Sequence, residues 1–296
     1  METVAELMTP HPICLHKDER LDIALALMVA CRFRHLPVEE SGEPRGRLIG
    51  IVSLRDLYAV DLSHLSASPR ERGRHLRGIE AGAVMRAPVI TTRPETSLWD
   101  AAKLLLDQRI SSLPVVKEGR LVGIVTRTDF LHPAIARLDE ESAREGRPLP
   151  VSRLMSPCPL VTVRRRDRLD VARALMTAER IHHLPVIADD GETLLGILSE
   201  HDALAASEPQ PGAGGTQPLE ELLARHAIEV EEAMTMPVVT ASPDEPAAGA
   251  ARLLDRRRFG ALPVVASGGR LVGMLSVSDF FYYLLSLAPV HASAHP

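Results

Sequence analysis

Four stretches of this 296-residue chain repeat one plan, and that repetition constrains the fold more than any other feature. Each opens on a Met and soon a Pro: Met8 with Pro12, Met85 with Pro88, Met155 with Pro159, Met234 with Pro237. A short β-prone run follows, ending at Leu15, Thr91, Thr162 and Thr240 in turn. After an amphipathic stretch comes a second landmark: Leu36-Pro37-Val38, Leu113-Pro114-Val115, Leu184-Pro185-Val186 and Leu262-Pro263-Val264. Met8 to Pro37, Met85 to Pro114 and Met234 to Pro263 each span 29 residues, and Met155 to Pro185 spans 30. Chance does not hold four copies in register over that distance.

The amphipathic stretch has helical period. Leu21, Leu25 and Met28 in the first copy, and Leu169, Ala172 and Met176 in the third, recur at three- and four-residue steps with charges between them. After Leu-Pro-Val each copy reads as a hairpin. In the second, Leu113–Val116 is a strand, Lys117-Glu118-Gly119-Arg120 a turn and Leu121–Val125 the return strand. A closing helix completes a β-α-β-β-α unit, so the expected class is α+β. The expected units are residues 1–62, 80–135, 150–206 and 229–288, with spacers at 63–79, 136–149 and 207–228 and a tail at 289–296. Trp99, at the start of an amphipathic helix, is read as packing.

Composition narrows the function. The net charge is −5, so no global field draws the chain to nucleic acid or an anionic membrane. The basic runs Arg70–Arg77, Arg164–Arg166 and Arg256–Arg258 read as solvated faces. Three scattered cysteines (Cys14, Cys31, Cys158) make neither a disulfide framework nor a metal site. With no long apolar run and no basic-then-apolar leader, the expectation is a soluble, cytoplasmic protein. Gly212–Gly215, ahead of an expected helix over 219–234, lacks the strand and the Lys-Ser/Thr of a phosphate loop and reads as a linker.

The chemistry sits where each return strand ends. The same constellation of Gly, two apolar residues, a hydroxyl residue, two variable residues and Asp runs from Gly50 to Asp56, Gly123 to Asp129, Gly196 to Asp202 and Gly273 to Asp279. Its hydroxyls are Ser53, Thr126, Ser199 and Ser276. One explanation is a helix cap, in which hydroxyl and carboxylate satisfy each other's backbone N–H groups. Another is a ligand site: a short carboxylate accepts from the vicinal hydroxyls of a ribose, while the helix start beside it offers N–H groups to phosphate. The residues alone leave both open.

Four tandem units carrying a Met opening, Leu-Pro-Val and this constellation strongly resemble cystathionine-β-synthase (CBS) domains. The resemblance implies pairing of the units into two Bateman modules, about 1–135 and 150–288, in a layout similar to the γ subunit of AMP-activated protein kinase. It also implies clefts for adenosine-containing ligands. Contact with ribose and phosphate then falls to Ser53, Asp56, Thr126, Asp129, Ser199, Asp202, Ser276 and Asp279. Thr91, Thr162 and Thr240 would line the adenine end, with Leu15 standing at that position in the first copy.

The residues before Leu-Pro-Val differ between copies. They are Arg34-His35 and His182-His183 in the odd copies, and Ser111-Ser112 and Gly260-Ala261 in the even ones. One of each odd pair must point toward a cleft. Together with Arg127, Arg55 and His201 beside the helix starts, they are candidate phosphate contacts, with the small residues of the even copies making room for ligand. If the imidazoles gain a proton on binding, affinity strengthens as pH falls from about 7.5 to 6. His182 and His183 face opposite ways along a strand and cannot chelate one metal, and His291 and His295 lie in a Pro/Ala tail. No nucleophile or base constellation is present. The expectation is therefore a non-enzymatic regulatory protein with no required cofactor and no metal, binding AMP, ADP or ATP, with NAD and S-adenosylmethionine as further candidates. It would signal to an unidentified protein partner, with a homodimer as one assembly and no nucleic-acid or membrane partner. The alternative is a scaffold whose clefts are vestigial.

Overall fold

The apolar spacing of the first copy places Leu21, Ala24, Leu25 and Met28 on one buried face, and Leu21–Cys31 is helical. In the computed structural model, which describes residues 3–40, 47–62, 76–206 and 228–288, the corresponding helices are Leu98–Asp107, Leu169–Glu179 and Ala247–Arg257. Just past each helix an exposed arginine turns left-handed: Arg32, Arg109, Arg180 and Arg258, with φ of 55, 53, 57 and 53°. In the first unit the Arg32 N–H returns to the Met28 and Val29 carbonyls, which ends the helix and redirects the chain into the hairpin.

The hairpins are antiparallel: His35–Glu39 with Leu48–Ser53, Ser112–Lys117 with Arg120–Thr126, His183–Ile187 with Leu194–Ser199, and Ala261–Val265 with Leu271–Ser276. In the second unit the ladder runs on to Lys117 opposite Arg120. The expected four-residue turn is therefore two residues, Glu118 and Gly119, at φ 52 and 78°. The first strand of each unit lies parallel to the Leu-Pro-Val strand, through Leu15 and Val38, Thr92 and Val115, Val163 and Val186, and Ala241 and Val264. The closing helices are Leu54–Leu62, Glu200–Ala205 and Val277–Ser286, and in the second unit a 3-10 turn, Arg127–Phe130, leads into Leu131–Glu145. That last helix runs through most of the residues expected as a spacer at 136–149, because Leu138 remains part of its buried face. Residues 63–75, 207–227 and 289–296 lie outside the described residues, and with them most of the Arg70–Arg77 run, the Gly212–Gly215 linker, most of the expected 219–234 helix, His291 and His295.

The units are paired by exchanging their openings. Thr9 and Pro10, from the first unit, pair with Ile124 and Gly123 of the second, and Arg86 of the second bridges Ile51 of the first. The other half repeats this: Ser156 and Pro157 pair with Met274 and Gly273, and Thr235 bridges Ile197. Each opening Met thereby covers the glycine of its partner's return strand. A Cβ on Gly273 would lie 2.7 Å from the Met155 Sδ and one on Gly196 2.9 Å from the Met234 Sδ, while Cβ atoms on Gly50 and Gly123 would overlap Met85 and Met8. The glycine and the Met, at least 35 residues apart in sequence, are halves of one contact.

The two pairs then pack side by side. One apolar core runs through the second and fourth units and includes Phe130, Leu131, Leu138, Phe280, Phe281 and Leu284. Phe130 and Phe281 meet edge to face, centroids 5.2 Å apart. Trp99 packs at the margin of this core, as expected of a packing residue. Leu204 of the third unit joins the core of the first. No helix among the described residues is long and apolar enough to cross a membrane.

Candidate functional site

Each return strand ends where the next helix begins, so the hydroxyl and the carboxylate of the constellation meet at the same corner. In the first unit the Ser53 N–H and Oγ–H both donate to Asp56 Oδ2, at 2.8 and 2.5 Å. The second has Thr126 N and Oγ1 on Asp129 Oδ2 at 2.6 and 2.9 Å. In the third, Ser199 N and Oγ reach Asp202 Oδ2 at 3.2 and 2.5 Å, and in the fourth, Ser276 N and Oγ reach Asp279 Oδ2 at 2.6 and 2.7 Å. The cap is thus made four times. It uses the same oxygen each time and turns Oδ1 away from the cap. Capping and ligand binding are compatible, but a ribose would meet one carboxylate oxygen rather than two. Burial raises the pKa of Asp129 and Asp279, against the lowering effect of these hydrogen bonds.

The basic candidates divide into two groups. Arg34, His35, Arg55, His182, His183 and His201 come together where the first and third units meet. His182 Nδ1 is 2.6 Å from Glu200 Oε2, His201 Nε2 is 3.1 Å from the Phe33 carbonyl, and His35 Nε2 is 3.1 Å from Ser111 Oγ. Arg34 and Arg55 both act on Glu200 electrostatically. His183 lies against Gly260, where an added Cβ would stand 2.5 Å from its Cε1 and 3.4 Å from Arg34 Nη2. The small residues of the even copies therefore make room for the imidazoles and guanidinium of the odd ones. Burial first, then the charge of Arg34, pushes the His35 pKa down to about 4 and that of His183 well below its ordinary value. His35 is therefore neutral from pH 7.5 to 6, and the same causes favour the neutral ring of His183, which argues against these two imidazoles as the source of a pH dependence across that range.

Arg127 stands apart. Its Nη2 donates to the Ile110 carbonyl at 3.0 Å, and its guanidinium lies 5.4 Å from the centroid of Phe281. It belongs to the packing between the second and fourth units, away from the other basic candidates.

A model of the family described as "CBS domain" matches residues 4–63, 81–134, 151–208 and 230–286. The chain belongs to the CBS domain family. Uncharacterized protein MJ1404 of Methanocaldococcus jannaschii is 27% identical over 288 residues, 97% of this chain and 62% of that protein. The chain thus spans about three-fifths of the length of that relative. Uncharacterized protein MJ1225 of the same organism is 26% identical over 208 residues, 69% of each chain. The solved structure of MJ1225, described as a candidate archaeal homologue of g-AMPK, superposes with a TM-score of 0.76 at 20% identity, covering 96% of this chain and all of that one. The likeness supports the fold: four CBS units paired into two Bateman modules.

Within the CBS units, backbone pairing corrects one sequence register. Leu15 pairs with Val38 as Thr92 pairs with Val115, so the partner of Thr91, Thr162 and Thr240 in the first unit is Cys14. The first copy carries its Pro one residue later, and counting from Pro misplaces the strand. Burial and the Glu39 carboxylate raise the Cys14 pKa to about 12 and keep the thiol protonated. Thr91 is exposed, and Thr162 and Thr240 are half-buried. The residue before each of these is apolar. Ile13, Ile90 and Val239 are 45, 37 and 39% exposed, and Val161 is half-buried.

Proposed function

We propose that this CBS protein binds adenosine nucleotides in clefts of its paired units and signals by ligand-dependent change of shape, without chemical conversion of the ligand. One observation carries the reading: in each of the four units the motif Asp caps a helix with Oδ2 and keeps Oδ1 outside the cap. A carboxylate oxygen fits a ribose hydroxyl, and exposed Ile13, Ile90 and Val239 at the ends of first strands suit the flat face of a base. Arg34, Arg55 and His182 supply cationic or protonatable partners for phosphate, with His35, His183 and His201 as neutral donors. Thr91, Thr162 and Thr240, with Cys14 in the first unit, complete the adenine end on this reading.

The second reading, a scaffold with vestigial clefts, draws on the same caps, since they account for Ser/Thr and Asp with no ligand. Thermal melts with adenosine, AMP, ADP, ATP, NAD and S-adenosylmethionine separate the two. A ligand at a hundred times its Kd stabilises the native state by about 2.7 kcal/mol. We expect at least one adenosine compound to raise Tm, and the rise to shrink in Asp129→Asn/Asp202→Asn, each protein being compared with its own unliganded melt. No shift at millimolar concentration favours the scaffold.

A further inference from the structure

The residue after each opening Met occupies one structural position. Thr9 pairs with Ile124, Arg86 with Ile51, Ser156 with Met274 and Thr235 with Ile197, so each lies beside the return strand of its partner unit, one residue past the motif glycine. Three of the four are small hydroxyl residues. The fourth is an arginine, which brings a charge where Ser156 brings Asp279 only a neutral hydroxyl. Arg86 Nε donates to Asp56 Oδ1 at 2.8 Å, while Ser53 N and Oγ occupy Oδ2. Both oxygens of Asp56 are therefore engaged from within the chain. Among the described residues, Asp129, Asp202 and Asp279 have no cation paired to them in this way.

The two members of the pair differ in what they would lose by separating. Asp56 is 9% exposed and needs a donor, whereas the Arg86 side chain is 69% exposed and can return to water. A donor arriving from a ligand can replace the guanidinium, provided it competes with a charge-assisted hydrogen bond.

We infer that Arg86, contributed by the second unit, is an intramolecular competitor for the ribose edge of Asp56. It makes the cleft of the first unit the weakest of the four for a neutral ribonucleoside. The inference rests on the nucleotide reading above and adds to it an inequality among sites that the shared motif conceals. Ribose hydroxyls entering the first cleft must displace Arg86. In the other three the sister residue is Thr9, Ser156 or Thr235, and the strongest competitor it offers is a neutral hydroxyl, as Ser156 does to Asp279.

Calorimetric titration of adenosine into the full chain tests this, because adenosine carries no phosphate for Arg86 to attract. Arg86→Thr, which installs the hydroxyl found at the sister positions, should strengthen one class of site about three- to tenfold or add one binding event. Arg86→Gln, of similar size and uncharged, should show the same direction. The gain should vanish in Arg86→Thr/Asp56→Asn and be smaller with 2′-deoxyadenosine. Adenosine binding to wild type with no gain in either Arg86 variant, or with weaker binding there, overturns the inference and leaves the nucleotide reading standing. Adenosine binding to none of the proteins overturns the inference, and the nucleotide reading falls with it if AMP, ADP, ATP, NAD and S-adenosylmethionine also leave Tm unchanged.

Discussion

His35 opens the first hairpin as Ser112 opens the second, yet the two residues live in opposite chemistries. The imidazole is packed among Arg34, His182, Asp56 and Glu200, with Ser111 Oγ on its Nε2. Burial and the two basic neighbours favour the neutral ring, and the carboxylates only partly offset them. Its folded pKa of about 4 lies below the ordinary value of 6.5, so between those values the unfolded chain binds more protons than the native one. Stability from this group is complete above about pH 6.5 and is lost as pH falls toward 4, by on the order of 2–4 kcal/mol. Urea denaturation from pH 7.5 to 4.5 should show that decline, and His35→Gln should flatten it. An unchanged slope in the variant would assign the decline to other groups, His183 first among them.

At the scale of elements, the exchanged opening strands explain why each motif starts on glycine and each unit on methionine. Gly123 has no space for a side chain because Met8 fills it, and the Thr9 carbonyl closes the other side. Gly123→Ala should destabilise the protein by about 1–3 kcal/mol through overpacking. Met8→Ala alone should also destabilise it, by opening a void. The two together should cost less than the sum, since the smaller side chain vacates the space that the new methyl needs. Denaturant midpoints of the two single variants and the double variant measure the coupling, and strict additivity would mean the contact is incidental. Residues 1–62 alone lack Met85, which covers Gly50, and Arg86, which bridges Ile51. The repeat was legible in sequence as spacing, but the partner of each Met was not, because spacing says nothing about which copy an element joins.

The whole molecule is held by unequal contacts between its halves. The second and fourth units share a core, whereas the first and third meet through Leu204 and a polar cluster of His, Arg and Glu200. Tyr283 Oη donates to Glu141 at 2.6 Å, and Arg252 pairs with Asp139, flanking the Phe130–Phe281 contact. Phe281→Ala should therefore cost about 3–5 kcal/mol, the usual range for a buried aromatic. It should also loosen the halves together with the fold, read as a lower Tm and faster hydrogen exchange over both 131–145 and 277–286. Exchange that rises only in 277–286 would show that the halves are not coupled through this core.

Local pattern determined the units. Apolar residues at three- and four-residue steps form a helix wherever one face can be buried, and Leu-Pro-Val followed by Gly-apolar-apolar-hydroxyl-x-x-Asp encodes a hairpin running into a capped helix. Only the tertiary structure decided which glycine each methionine covers, that the room beside Gly260 belongs to His183, that Arg127 stacks on Phe281, and that of the four motif carboxylates Asp56 is the one paired with an arginine among the described residues. These are contacts between copies, and copies built on one pattern are interchangeable until packing assigns each its neighbour.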